Sequence, residues 1–94
     1  MSSTTASTSI KHESFISGPM GGKPVTALPG VGRVLGGRLT QNGSDSASQV
    51  YGQYLMFKGD EDQFRSWMKT ECNANKKQAG DCFNAIREYA NSFL

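Results

Sequence analysis

The chain has 94 residues, 36% of them hydrophobic, and no apolar run approaches the ~20 residues of a membrane-crossing helix, so a small domain without a transmembrane span is predicted. The formal net charge is only +2, but it is unevenly spread: residues 1–44 carry Lys11, Lys23, Arg33 and Arg38 against Glu13, a balance of +3, and residues 45–94 come to −1. Two cysteines, Cys72 and Cys82, with a single histidine supply neither a four-ligand zinc site nor a disulfide framework. Both are expected as buried packing residues in a reducing compartment, and no metal or cofactor is expected.

Met1 to Ser9 is rich in Ser and Thr and lacks the basic stretch, apolar core and cleavage site of a secretory signal, so an intracellular compartment is expected. Without apolar partners to offset the entropy of ordering, residues 1–9 are expected to form a disordered tail and residues 10–94 a single helical domain. A first helix is predicted over Ile10–Ser17, followed by a loop at Gly18-Pro19-Met20-Gly21-Gly22. Pro24 suits a first helical position, and Val25 and Leu28 give a short apolar face, so a short helix is predicted at about 24–28. A third, at about 33–42, carries Val34, Leu35 and Leu39, with Gly43 where a left-handed C-terminal cap belongs.

Ala47, Val50, Tyr51, Tyr54, Leu55 and Phe57 keep helical spacing and predict a fourth helix, ended by Gly59, whose wide apolar face leaves room for a contact beyond the core. Asp60 and Gln63 have the form of a capping box, opening a fifth helix that carries Phe64, Trp67 and Met68 inward and ends near Asn73. Asn75 and Gln78 repeat the device, and Ala79, Cys82, Phe83, Ile86, Ala90, Phe93 and Leu94 trace one stripe of a last helix. No run alternates as a strand would, so the predicted fold class is all-α, with five to six helices. A domain this small buries a limited fraction of its surface, which favours a homodimer.

The most informative stretch is Leu28-Pro29-Gly30-Val31-Gly32, opening the basic helix with Arg33 and Arg38. Gly30 and Gly32 lack a Cβ, so the chain can turn tightly there and approach a ligand closely, with Val31 pointing inward. Helix starts carry unpaired N–H groups and partial positive charge, so the turn before Arg33 is an anion site in the manner of a helix-hairpin-helix module bound to DNA phosphate. Such contact reads no sequence and weakens steeply with salt. A Gly-x-Gly also serves as a plain turn between packed helices. The flanking helices and local basic charge favour the phosphate reading.

Asn75-Lys76-Lys77-Gln78 is a second anion-favouring helix start, against the alternative of an ordinary cap with solvated lysines. His12 beside Lys11 reads as a solvated side chain able to add to phosphate contact. Asp60, Glu61 and Asp62 have a sufficient electrostatic reason at a helix start, and the chain has no second half to enclose a substrate, so no enzyme is expected.

Further clusters extend the pattern: Pro19-Met20-Gly21-x-Lys23-Pro24-Val25, Gly30-x-Gly32, Val34-Leu35-Gly36, Gly52-Gln53-Tyr54-Leu55, Lys58-x-Asp60-Glu61-Asp62-x-Phe64-Arg65-x-Trp67, Asp81-Cys82-Phe83 and Phe93-Leu94. Together they resemble the barrier-to-autointegration factor family from about Lys11 to Leu94. The resemblance implies a helical homodimer whose two hairpins bind and bridge two DNA duplexes without reading sequence. It also implies partners among LEM-domain proteins of the inner nuclear membrane, lamins and histones, and a place in the nucleus, at chromatin and the nuclear envelope, and in the cytoplasm. The alternative is a dimeric LEM-domain adaptor with little DNA binding.

Carried over by position, the DNA contacts are Lys11, Gly30, Val31, Gly32, Val34, Arg38, Asn75, Lys77 and Gln78. The LEM-partner groove is Tyr51, Gly52, Leu55, Met56 and Lys58, and Ser7, Thr8 and Ser9 fall where family members are phosphorylated, next to Lys11. Gly30→Glu is expected to abolish DNA binding while leaving the dimer intact. The chain departs from the family at Ser44, where an aromatic is usual, at Ser48-Gln49, usually apolar, at Tyr51, usually leucine, and at Gly59, usually lysine. Gly80 stands in place of a usual arginine, and Lys76 at a usually small, uncharged position.

Overall fold

The computed structural model describes residues 6–93, with side chains over 10–92. Its α-helices are α1 (Ala6–Ile16), α2 (Arg33–Gln41), α3 (Ala47–Met56), α4 (Glu61–Cys72) and α5 (Lys76–Phe93), and a 3-10 turn at Val25–Ala27 lies between α1 and α2. The all-α expectation holds. Among the described residues there is no strand, only an isolated bridge between Pro24 and Ser46, and no helix is long and apolar enough to cross a membrane.

Side chains that satisfy free N–H groups set the helix starts. Ser46 and Gln49 form a reciprocal capping box on α3, and the Gln49 amide oxygen also accepts from the Asp45 N–H at 2.7 Å. The polar residue that replaces an apolar one at position 49 is therefore the cap itself. Asp60 caps α4 by accepting from the Gln63 N–H at 2.9 Å, which is the carboxylate half of the predicted box. Asn75 and Gln78 form both halves at α5, at 2.8 and 2.9 Å.

Helix ends follow the backbone. α2 closes on the positive-φ Gly43, with the Ser44 N–H on the Leu39 carbonyl and the Gly43 N–H on that of Thr40, the paired bonds of a Schellman motif. α3 closes the same way, but its left-handed residue is Lys58 (φ 56°) rather than the predicted Gly59, which follows at φ 76°. Asn73 ends α4 at φ 59°.

Three expectations are corrected. The first helix starts at Ala6 rather than Ile10, so its first turn takes in Ser7, Thr8 and Ser9; of the predicted tail, residues 1–5 lie outside the described residues. The helix expected at 24–28 is one 3-10 turn, because extended Pro24 (ψ 164°) and Leu28 (ψ 132°) bracket it. Trp67 is half-buried, beside Phe57 at a shallow concavity, whereas Phe64 and Met68 are fully buried as expected.

The core gathers on α5, which packs against α4, α1 and α3, while α2 packs on α4 and the 3-10 turn. Phe83 lies 5.7 Å from Tyr54 and 5.8 Å from Phe64, centroid to centroid, and Phe15 lies 5.6 Å from Tyr89. Each such aromatic removes roughly 150–250 Å² from water, so this cluster is the main apolar contribution to stability. The predicted stripe of α5 is buried from Ala79 to Ala90, with Ala85 and Tyr89 added to it; the Phe93 side chain and Leu94 lie outside the described residues. Cys72 and Cys82 are free and buried.

Candidate nucleic-acid interface

The hairpin turn is held from inside. Leu28 and Val31 are fully buried, the Val31 N–H donates to the Leu28 carbonyl at 3.0 Å, and the Val31 carbonyl accepts from Lys11 Nζ at 2.8 Å. Gly30 has φ +80°, and a Cβ there would run into the Gln78 carbonyl, so glycine is required both for the turn and for the approach of α5. Gly32 is extended, with open space around a built Cβ, and no side chain caps the α2 start that follows it. The first N–H groups of α2 have no intrahelical partner, unlike their side-chain-capped counterparts in α3, α4 and α5.

This turn and the start of α5 face each other across a concavity of about 440 Å³ lined by Lys11, Pro29, Gly30, Gly32, Asn75, Lys77, Gln78 and Asp81. Six of the nine sequence-predicted contacts meet there: Lys11, Gly30, Gly32, Asn75, Lys77 and Gln78. The surface combines backbone N–H donors, a carboxamide pair and two cations, a donor set suited to phosphate.

The other three predicted residues have different places. The Val31 side chain is buried and both its backbone polar groups are engaged, so it shapes the turn rather than touching a ligand. Val34 projects from the first turn of α2 and is 61% exposed. Arg38 Nη1 donates to the Cys72 carbonyl at 3.0 Å, tying α2 to the end of α4, where the Asn42 carboxamide donates to the Glu71 carbonyl at 2.8 Å. His12 is likewise engaged within the fold: its Nε2 lies 2.8 Å from Glu88 Oε1, joining α1 to α5.

Electrostatics temper the concavity. Lys77 Nζ pairs with Asp81 Oδ2 at 3.0 Å, one helical turn on, and burial lowers the Lys11 ammonium below its usual value. Asp81 is the site residue that sequence reasoning missed; the i,i+4 spacing from Lys77 was its signal.

The predicted partner groove occupies the exposed side of α3. Leu55 is 48% and Met56 75% exposed, Tyr51 is half-buried and stacks on Tyr54 with centroids 6.1 Å apart, and Gly52 has open space where a Cβ would stand. Lys58 follows in its left-handed conformation.

The sequence is similar to known proteins over nearly its whole length. A family model described as barrier to autointegration factor matches residues 6–93. Barrier-to-autointegration factor of Danio rerio is 52% identical over 89 residues, covering 95% of this chain and 99% of the relative. That of Homo sapiens is 52% identical over 87 residues, 93% and 98% of the two chains, and that of Drosophila melanogaster 51% over 87 residues, 93% and 97%. On this identity and coverage, the chain belongs to the barrier-to-autointegration factor family.

Proposed function

We propose that this chain binds double-stranded DNA without sequence preference and, as a homodimer, bridges two duplexes, linking chromatin to LEM-domain proteins and lamins at the nuclear envelope, with histones as further partners. It acts by binding, not by catalysis. The observation that carries the reading is the concavity in which the uncapped start of α2 and the Asn75–Gln78 start of α5 converge with Lys11 and Lys77. Backbone donors and point charges contact phosphate alone, so affinity does not depend on base sequence. The exposed Leu55 and Met56 face of α3 supplies the dimer-spanning partner groove, and phosphate groups added to Ser7, Thr8 or Ser9, two to four residues before Lys11 on α1, oppose DNA.

The Lys77–Asp81 pair and the missing cation at Gly80 favour the second reading, a dimeric LEM-domain adaptor with weak DNA binding. One variant separates them. Gly30→Glu is unsuitable, since any Cβ there disturbs the packing on α5. Gly32→Asp has room, and its carboxylate suits the N-cap position of α2 while placing negative charge where phosphate would sit. Wild-type protein titrated into unrelated blunt duplexes over a salt series should bind all of them equally, with affinity falling steeply as salt rises. Gly32→Asp should stay folded and lose that binding. Wild-type protein that is dimeric yet fails to bind at low salt favours the adaptor.

A further inference from the structure

We propose that a second concavity, of about 340 Å³ between α4 and the start of α5, holds backbone phosphates of the same duplex that the hairpin concavity engages, through Arg65, Lys69 and Lys76. This rests on the DNA reading above and enlarges its footprint. The concavity is lined by three cations and no carboxylate, and its only apolar lining residues are the small, buried Ala74 and Ala79. It has no cleft for an apolar anchor, so a partner recognised here is recognised by negative charge, and a polyanion fits better than a folded protein face.

The cations differ in availability from those at the hairpin. There Lys77 is paired with Asp81, and Lys11 is committed to the Val31 carbonyl. Here the exposed Lys69 and Lys76 ammonium groups have no ion pair or hydrogen bond among the described residues. Arg65 is fixed in place: its Nε donates to Glu61 Oε2 at 2.8 Å and its Nη1 to the Lys76 carbonyl at 3.1 Å. Its guanidinium lies against Gly80, where a built Cβ would come within 2.8 Å of Nη2. The residue without a side chain at position 80 thus makes room for a cation supplied by α4, and Lys76 adds another on the first turn of α5. Asn75 lines both concavities, which flank that turn on either side, so a backbone lying across the start of α5 meets both.

Each phosphate neutralised adds about 0.9 to the slope of log affinity against log salt. Lys69→Gln with Lys76→Gln, both at exposed positions, should therefore reduce that slope by about 2 and weaken duplex binding about tenfold or more near 0.1 M salt, while Lys69→Arg with Lys76→Arg keeps both. The unfolding midpoint, measured alongside, should be unchanged. If the Gln pair binds with wild-type slope and affinity while Gly32→Asp does not bind, the second concavity is no DNA site and the hairpin reading stands. If the Gln pair keeps duplex affinity but loses affinity for polyglutamate, the surface serves an acidic protein segment and the proposal falls. Wild-type protein without salt-dependent duplex binding overturns both readings together.

Discussion

Single residues carry separable loads in this chain. Gly30 combines a positive φ with the absence of a side chain against the Gln78 carbonyl, so Gly30→Ala should cost about 2 kcal/mol or more, read as a lower denaturant midpoint at unchanged m-value. Gly32 carries neither constraint, which is why the two glycines of one motif call for different experiments. The sequence identified both but could not rank them, since the atom that excludes a side chain at Gly30 lies 48 positions away. The buried thiols have a titration consequence. Burial pushes Cys82, and less strongly Cys72, above the ordinary thiol value of 9.0, so the folded state keeps protons that the unfolded chain releases. Their contribution is complete below pH 9 and is lost above it, at a slope of about 1.4 kcal/mol per pH unit for Cys82. Lys11, lowered by burial, opposes this as the pH approaches 10.5, and Tyr51, raised by burial, adds to the loss above pH 10. Unfolding free energy followed from pH 7 to 10.5 should fall from about pH 9, and Cys82→Ala should flatten the fall whatever its effect at neutral pH.

At the scale of elements, starts and stops were largely legible, because caps are local chemistry. The Asn75–Gln78 box, the carboxylate of Asp60, and Gly43 and Asn73 as terminators all stand where the spacing put them. The Ser46–Gln49 box is absent from the sequence reading, in which Gln49 stands only beside Ser48 as a departure from apolar family positions. Ser46→Ala should cost about 1 kcal/mol in unfolding free energy, and the loss should appear as faster hydrogen exchange at the start of α3. Lys58 holds a left-handed cap that glycine adopts freely, and it is exposed, so Lys58→Gly should stabilise the fold by about 1 kcal/mol in a thermal or denaturant scan. The same variant removes a cation from the proposed partner groove, and weaker LEM-domain binding alongside higher stability would separate its two roles. The helix expected at 24–28 shrinks to a 3-10 turn for a tertiary reason. The Val25 N–H donates to the Asp45 carbonyl at 3.2 Å and the Ala47 N–H to the Lys23 carbonyl at 3.0 Å, so this segment is pinned to the start of α3 rather than free to propagate a helix.

For the whole molecule, bridging demands two DNA surfaces per particle, and one chain offers one hairpin. Sedimentation should therefore give about twice 10.2 kDa, and a particle of that mass should bring two labelled duplexes together; a monomeric mass would leave each protein with one duplex and no bridge. The sequence by itself determined the helix register, the buried stripe of α5 and the glycine turn, because amphipathic spacing, capping side chains and a residue without a Cβ act over a few positions of chain. Only the tertiary structure decided which charges are free. Arg38 reads from the sequence as a phosphate contact and His12 as a solvated side chain, but packing sets them against the Cys72 carbonyl and Glu88, and Arg65, conspicuous only in a motif, lies over Gly80. Charge availability depends on what stands within a few ångströms in space. The contacts of Arg38 and His12, and that of Arg65 with Gly80, join positions 15 to 76 apart, beyond the reach of a local pattern, whereas the Lys77–Asp81 and Arg65–Glu61 pairs lie one helical turn apart within the reach of spacing.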